Sequence, residues 1–75
     1  MQPLKLFFDG GAAASGTEIS YGFVLKDHKD GVIAEIGRKL ICKGTSNQAE
    51  YLGLILGLTY CLAKRHYRIK IYGDS

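Results

Sequence analysis

Seventy-five residues, 47% of them hydrophobic and 23% charged with a single proline, have the balance of a folded chain, which excludes intrinsic disorder. This length allows one domain at most, or part of one. A chain so short buries only about 60% of the surface it exposes when unfolded, so stability is thin without a partner, a metal or further chain. The net charge of +3 and pI of about 9.0 are a mild basic excess, which suits a nucleic-acid partner and many other small domains equally.

Residues 4–9, Leu-Lys-Leu-Phe-Phe-Asp, predict a first strand bounded by Pro3 and Gly10-Gly11. The small, glycine-rich stretch 10–17 predicts a flexible loop or wide turn. Residues 19–25 and 32–40 predict a second and a third strand. The Asp30-Gly31 pair between them signals a hairpin, so these strands are antiparallel neighbours. Thr45-Ser46-Asn47-Gln48 has the capping-box pattern, with Thr45 as cap and Gln48 reaching back. The helix then runs to about Lys64-Arg65, whose charges suit the negative end of the dipole. Residues 68–73 predict a fourth strand, which ends at Asp74-Ser75. The expected fold class is α/β, a β-β-β-α-β unit with one helix packed on a mixed sheet of order 3-2-1-4.

Ten glycines imply several tight turns or close backbone approaches. Cys42 and Cys61 lack CxxC or Cys/His spacing, so neither a disulfide framework nor a zinc site follows. Both read as small apolar residues in a reducing setting. No basic-then-apolar leader opens the chain. The apolar-rich stretch 51–63 is too short for a bilayer and is interrupted by Gly53, Gly57 and Thr59. The expectation is an intracellular protein, of cytoplasm or nucleus, with no membrane contact.

Topology brings three acids to one edge of this sheet. If the first strand runs up, the helix starts at the top, and a right-handed crossover returns the fourth strand upward beside the first. Asp9 then closes the first strand, Glu50 lies early in the helix and Asp74 closes the fourth strand. Ligands of open α/β sheets bind outside the carboxyl ends of strands. Leu4, Leu6 and Phe8 share one sheet face, with Ile69 and Ile71 beside them. Glu50, Leu54, Gly57 and Cys61 share one side of the helix, which packs on that face, with Gly57 allowing close approach. Taken singly, Asp9 is an ordinary turn residue and Glu50 an ordinary dipole-compensating charge. Taken together, clustered carboxylates repel unless a cation sits between them. A hard divalent ion such as Mg²⁺ takes a few carboxylates plus water and phosphate. Two such ions about 4 Å apart activate water and stabilise the leaving oxygen in phosphodiester hydrolysis. The glycines after Asp9 let backbone approach a phosphate, and Asn47 and Gln48, at the positive end of the helix, can donate to a sugar or phosphate.

Phe7-Phe8-Asp9-Gly10-Gly11-Ala12 resembles the first strand of type 1 ribonucleases H and of related domains in plant and retroelement proteins. Tyr21-Gly22-Phe23-Val24-Leu25 resembles their second strand. Thr45-Ser46-Asn47-Gln48-Ala49-Glu50-Tyr51 resembles the start of their first helix, and Ile71-Tyr72-Gly73-Asp74-Ser75 the end of their fourth strand. The resemblance implies an RNA/DNA hybrid substrate, Mg²⁺ or Mn²⁺ (two ions with substrate), and cleavage of the RNA strand leaving a 3′-hydroxyl and a 5′-phosphate. Asp9, Glu50 and Asp74 are then the catalytic metal ligands, with the Gly10 backbone beside them. Gly11, Ala12, Ser46, Asn47, Gln48 and Ser75 are then contacts to the hybrid in its minor groove, where the 2′-hydroxyl marks RNA.

In that family a fifth strand and further helices follow, with a fourth carboxylate and a histidine. Residues 1–75 are therefore expected to be the N-terminal part of one such domain. His28, in the hairpin turn, and His66, at the lower end of the helix, are placed too far away to stand in for that histidine. Lys64-Arg65-His66-Tyr67-Arg68 reads as charge at a helix end rather than a nucleic-acid surface. The helix itself is apolar on most sides: Tyr51, Ile55, Leu58 and Leu62 form one stripe, and Leu52, Leu56, Tyr60 and Ala63 another. The fourth strand leaves an open edge. The chain is therefore expected to form a homodimer or to associate with a C-terminal half. The alternatives to a nuclease are a catalytically silent, nucleic-acid-binding remnant and an assembly module whose acids merely decorate a sheet edge.

Overall fold

The computed structural model describes residues 2–73. They form β1 (Leu4–Ala12), β2 (Ile19–Lys26), β3 (Val32–Leu40), α1 (Ser46–Ala63) and β4 (Ile69–Tyr72). The strands make one mixed sheet of order β3-β2-β1-β4. β1 is antiparallel to β2 and parallel to β4, and β2 is antiparallel to β3. This is the β-β-β-α-β arrangement and the strand order expected from the sequence. Alternation along β1 sends Leu6 into complete burial, with Leu4 and Phe8 half-buried beside it. Leu6, Phe23, Leu25 and Cys61 form the core, and Ala34, Ile36, Leu54, Leu56, Tyr60 and Ile69 pack around them.

Four expectations are corrected. Gly10, Gly11 and Ala12 are not loop but the last third of β1, paired with Tyr21, Ser20 and Ile19. Ladder partners on β2 outweigh the weak strand preference of glycine. The connecting loop is residues 13–18, closed by the Ala13 N–H on the Glu18 carbonyl (2.9 Å), with Gly16 at φ 73°. Asp9 thus lies inside β1 rather than at its end, although the β4 ladder stops two residues earlier, at Phe7–Tyr72.

The hairpin between β2 and β3 is present, but its turn is longer than the Asp-Gly pair suggested. One Asp27 carboxylate oxygen accepts from the Lys29 and Gly31 amides at 2.9 and 2.8 Å, and Asp30, not Gly31, takes the positive φ of 66°. An aspartate side chain that mimics a backbone turn organises the loop. Gly31 leaves room for that carboxylate, which a methyl would approach to 2.8 Å.

At the start of α1 the capping box is formed as read: Thr45 Oγ1 accepts from the Gln48 N–H at 3.2 Å and Gln48 Oε1 from the Thr45 N–H at 2.9 Å. Its C-terminal end differs. The His66 N–H reaches the Cys61 carbonyl (2.8 Å) and the Arg65 N–H the Leu62 carbonyl (3.1 Å), with Arg65 at φ 60°. This is a Schellman closure with arginine where glycine is usual. Hydrogen bonding of the last carbonyls, not the charge of Lys64 and Arg65, stops the helix.

The fourth correction concerns the face of α1 that meets the sheet. Its buried residues are Ala49, Gly53, Gly57 and Cys61. Glu50 and Leu54, assigned to this face from the sequence, flank it and are half-buried. Small side chains four apart let the helix backbone settle onto β1 and β2, and larger ones are turned aside. The stripe of Tyr51, Ile55, Leu58 and Leu62 is exposed.

Candidate metal centre

Close packing of backbones builds the site. Asp9 is exposed, and its Oδ1 accepts from the Gly10 N–H at 2.8 Å. Gly10 faces the first turns of α1 so closely that a methyl on it would lie 2.5 Å from the Glu50 nitrogen and 2.6 Å from the Ala49 carbonyl oxygen. One turn further along, a methyl on Gly53 would lie 2.7 Å from the carbonyl oxygens of both Asp9 and Gly22. The residue that follows Asp9 is thus in backbone contact with Glu50. Two of the three predicted ligands are neighbours through main chain.

Their side chains reach this place from different sides. Alternation puts Asp9 on the sheet face of Lys5 and Phe7, away from α1, where it borders an open trough with Glu35, Gly37 and Lys39. Glu50 borders a smaller depression on the helix side with Phe8, Asn47, Tyr51 and Leu54. Phe8 lines both. Between the two depressions lies a lip of chain at Phe8 and Gly10.

Among the described residues the ion pairs are Lys5–Asp30 (2.9 Å) and Lys39–Glu18 (3.2 Å), so neither Asp9 nor Glu50 is neutralised by a neighbouring cation. Carboxylate oxygens without a cationic partner are the type of donor that hard divalent ions take. No three acid, histidine or cysteine side chains converge among the described residues. The third predicted ligand, Asp74, and the predicted nucleic-acid contact Ser75 lie outside the described residues. The chain leading to them is placed, however. Tyr72 pairs with Phe7, two positions before Asp9, and the two rings stack at 4.9 Å. Gly73 sits on the Phe8 ring, where a methyl would meet its edge at 2.5 Å.

Among the predicted nucleic-acid contacts, Ser46, Asn47 and Gln48 are exposed on the first turn of α1. The carboxamide oxygen of Gln48 is held by the cap. Gly11 offers bare backbone, since a methyl there would find only Ser20 Oγ, at 3.9 Å. Ala12 is exposed at the end of β1. His28 lies in the β2–β3 turn and His66 in the closure after α1, both away from the Gly10 lip.

Several titrating groups in the turns and the core are shifted. Amides of Gly31 and Lys29 hold the Asp27 carboxyl below the usual range, and the Lys5 ammonium does the same for Asp30. The hydrogen bond to Asp30 in turn raises Lys5. Burial pushes the Cys61 thiol up, which leaves it protonated and unreactive. Cys42 and Cys61 are both free thiols. No helix among the described residues is long and apolar enough to cross a membrane.

Sequence reasoning missed Gly10 and Gly53 as the pieces that bring Asp9 and Glu50 together. A signal was present, since Ala49, Gly53, Gly57 and Cys61 recur every fourth residue.

Comparison with known proteins agrees with this fold. The profile of the reverse transcriptase-like family matches residues 7–75. The chain is similar to the solved RNase H1 from the halophilic archaeon Halobacterium salinarum NRC-1, with 32% identity and a TM-score of 0.85, over 96% of this chain and 54% of that one. It is also similar to LC11-RNase H1, isolated from compost by a metagenomic approach, with 25% identity and a TM-score of 0.86, over 100% of this chain and 56% of that one. The chain thus spans about half the length of these two solved relatives. No curated protein matches it.

Proposed function

The chain belongs to the reverse transcriptase-like family, with a ribonuclease H-like fold, and from that premise we propose that it is the N-terminal part of a divalent-metal-dependent endonuclease acting on the RNA strand of RNA/DNA hybrids. The observation that carries the reading is the contact of Gly10 with the Ala49–Glu50 peptide, which makes backbone neighbours of two acidic residues, neither of which pairs with a cation among the described residues. Asp9, Glu50 and Asp74 are the proposed ligands of Mg²⁺ or Mn²⁺, two ions with substrate, with the Gly10 backbone as a further oxygen. Bound there, such ions supply an activated water and stabilise the leaving oxygen.

The chain's own groups bind and orient. The Gly10 amide, on Asp9 Oδ1, fixes the rotation of that carboxylate. Ser46, Asn47 and the cap-held Gln48 offer polar groups at the positive end of α1, where phosphate and sugar oxygens are favoured. Bare backbone at Gly11 and Ala12, with Ser75, completes the proposed minor-groove contact.

Titration of the chain with Mn²⁺, followed by incubation with RNA/DNA hybrid and with DNA duplex, tests the reading. Binding that Asp9→Asn and Glu50→Gln each weaken, with products from the RNA strand alone carrying 5′-phosphates, is the expected result. Equal Mn²⁺ binding by the wild type and both variants sinks it.

A second reading is a silent remnant that binds nucleic acid or assembles. It is favoured by the outward stripe of Tyr51, Ile55, Leu58 and Leu62, which is exposed and carries no charge. Such a stripe suits a second copy or a C-terminal half. Sedimentation at rising concentration tests it: a homodimer is expected, and a compact monomer throughout rejects self-association.

A further inference from the structure

Two sheet glycines would drive an added methyl into main chain: Gly22 into the Ile36 carbonyl oxygen of the neighbouring strand, at 2.5 Å, and Gly10 into α1. A methyl on Gly11 or Gly37 would meet open space or ordinary contact, whereas one on Gly10 would enter the main chain of α1 at the peptide that carries Glu50. Backbone cannot swing aside as the end of a side chain can, so any group larger than hydrogen here must move the strand, the helix or both. Gly57 differs in kind: its added methyl would meet the Leu6 methyls at 2.7 and 3.1 Å and Phe23 Cβ at 3.2 Å, two turns down the helix.

We infer that Gly10 is a positioning residue: the missing side chain sets the separation between Asp9 and Glu50, and so the affinity of the lip between them for a divalent cation. This rests on the reading of Asp9 and Glu50 as cation ligands. The argument is one of linkage along the chain. Asp9 is joined covalently to Gly10 and hydrogen-bonded to its amide, while Glu50 is joined to the peptide Gly10 touches. No flexible segment lies between the two carboxylates except their own side chains. A displacement at this contact therefore reaches both directly. Gly53 adds a second, weaker restraint of the same sort, because its methyl would press on the Asp9 carbonyl oxygen. Alanine at position 10 keeps every backbone oxygen, so a change in binding reports geometry and not a lost donor.

The experiment compares wild type, Gly10→Ala, Gly53→Ala and Gly57→Ala by two readouts: Mn²⁺ affinity from water-proton relaxation and the urea unfolding midpoint. Gly10→Ala is expected to weaken Mn²⁺ binding about tenfold, the size of effect seen when groups that orient metal ligands are altered. Gly57→Ala is expected to lower the urea midpoint while leaving Mn²⁺ affinity within about twofold of wild type, since it disturbs the core and not the lip. Mn²⁺ affinity in Gly10→Ala within twofold of wild type overturns the inference. So does a loss in Gly57→Ala as large as that in Gly10→Ala, because affinity would then follow stability alone. Where Gly10→Ala shows no cooperative unfolding, Gly53→Ala carries the test: about threefold weaker binding supports the inference, and unchanged binding overturns it. A wild type whose Mn²⁺ binding is indifferent to Asp9→Asn is a different outcome, for it removes the metal site itself.

Discussion

The two faces of α1 invert a common expectation. Its inner face, against the sheet, is built from small residues, Ala49, Gly53, Gly57 and Cys61. Its outer face carries the large apolar residues Tyr51, Ile55, Leu58 and Leu62, which are exposed, Leu62 to 67%. Hydrophobicity alone would have buried the second set. Size decided otherwise, because the helix approaches β1 and β2 with its backbone nearly in contact with theirs at Gly53, where only hydrogen fits between. Such an approach brings Glu50 down to the level of Asp9.

That contrast can be broken at several points. The largest effect is expected from Gly57→Leu, which forces a branched side chain into Leu6 and Phe23 and costs about 3 kcal/mol by urea denaturation. A cost near zero would mean that the inner face is not tight. At the two ends of the same helix, opposite signs are expected. Thr45→Ala removes the capping hydroxyl from the Gln48 amide and destabilises by about 1 kcal/mol. Arg65→Gly relieves a left-handed backbone and stabilises by about 1 kcal/mol, which thermal melts can resolve. On the outer face, Ile55→Gln combined with Leu62→Gln should change monomer stability by only about 0.5 kcal/mol per site, since neither side chain is packed. The same pair should abolish concentration-dependent sedimentation if the face joins two copies.

The smallest effect concerns pH, at the end of the sheet away from α1's first turn. Asp27 and Asp30 both have folded-state pKa values held below the ordinary carboxylate range. Their contribution is therefore complete above that range and is lost as pH falls through the lowered values. Amide-exchange protection in residues 27–31, taken relative to the intrinsic rate at each pH, should fall in acid below about pH 4 while the core stays protected. Asp27→Asn should remove most of that dependence, and an unchanged acid profile would show that the turn is held by other means.

Much of the fold was legible because its signals are local. The capping box at Thr45 and Gln48, the alternation of Leu4, Leu6 and Phe8, and the whole of β3 came from neighbours in the chain. Residues 10–12 were misread because glycine carries little strand preference, and their ladder with residues 19–21 depends on a partner strand. Glu50 and Leu54 were assigned to the inner face on spacing, but a helix with apolar residues nearly all round has no single face by that measure. Arg65 gave no warning of its left-handed backbone, since arginine has no preference for it.

Residue order by itself determined the strand that carries Asp9 and the capped helix start that carries Glu50, because alternation and capping are local. It also determined the topology, through two antiparallel steps and one helical return. Only the tertiary structure decided the contact of Gly10 with the Ala49–Glu50 peptide, and that Asp9 and Glu50 border different depressions on either side of it. Close packing is a property of two surfaces at once, and no stretch of one strand or one helix contains it.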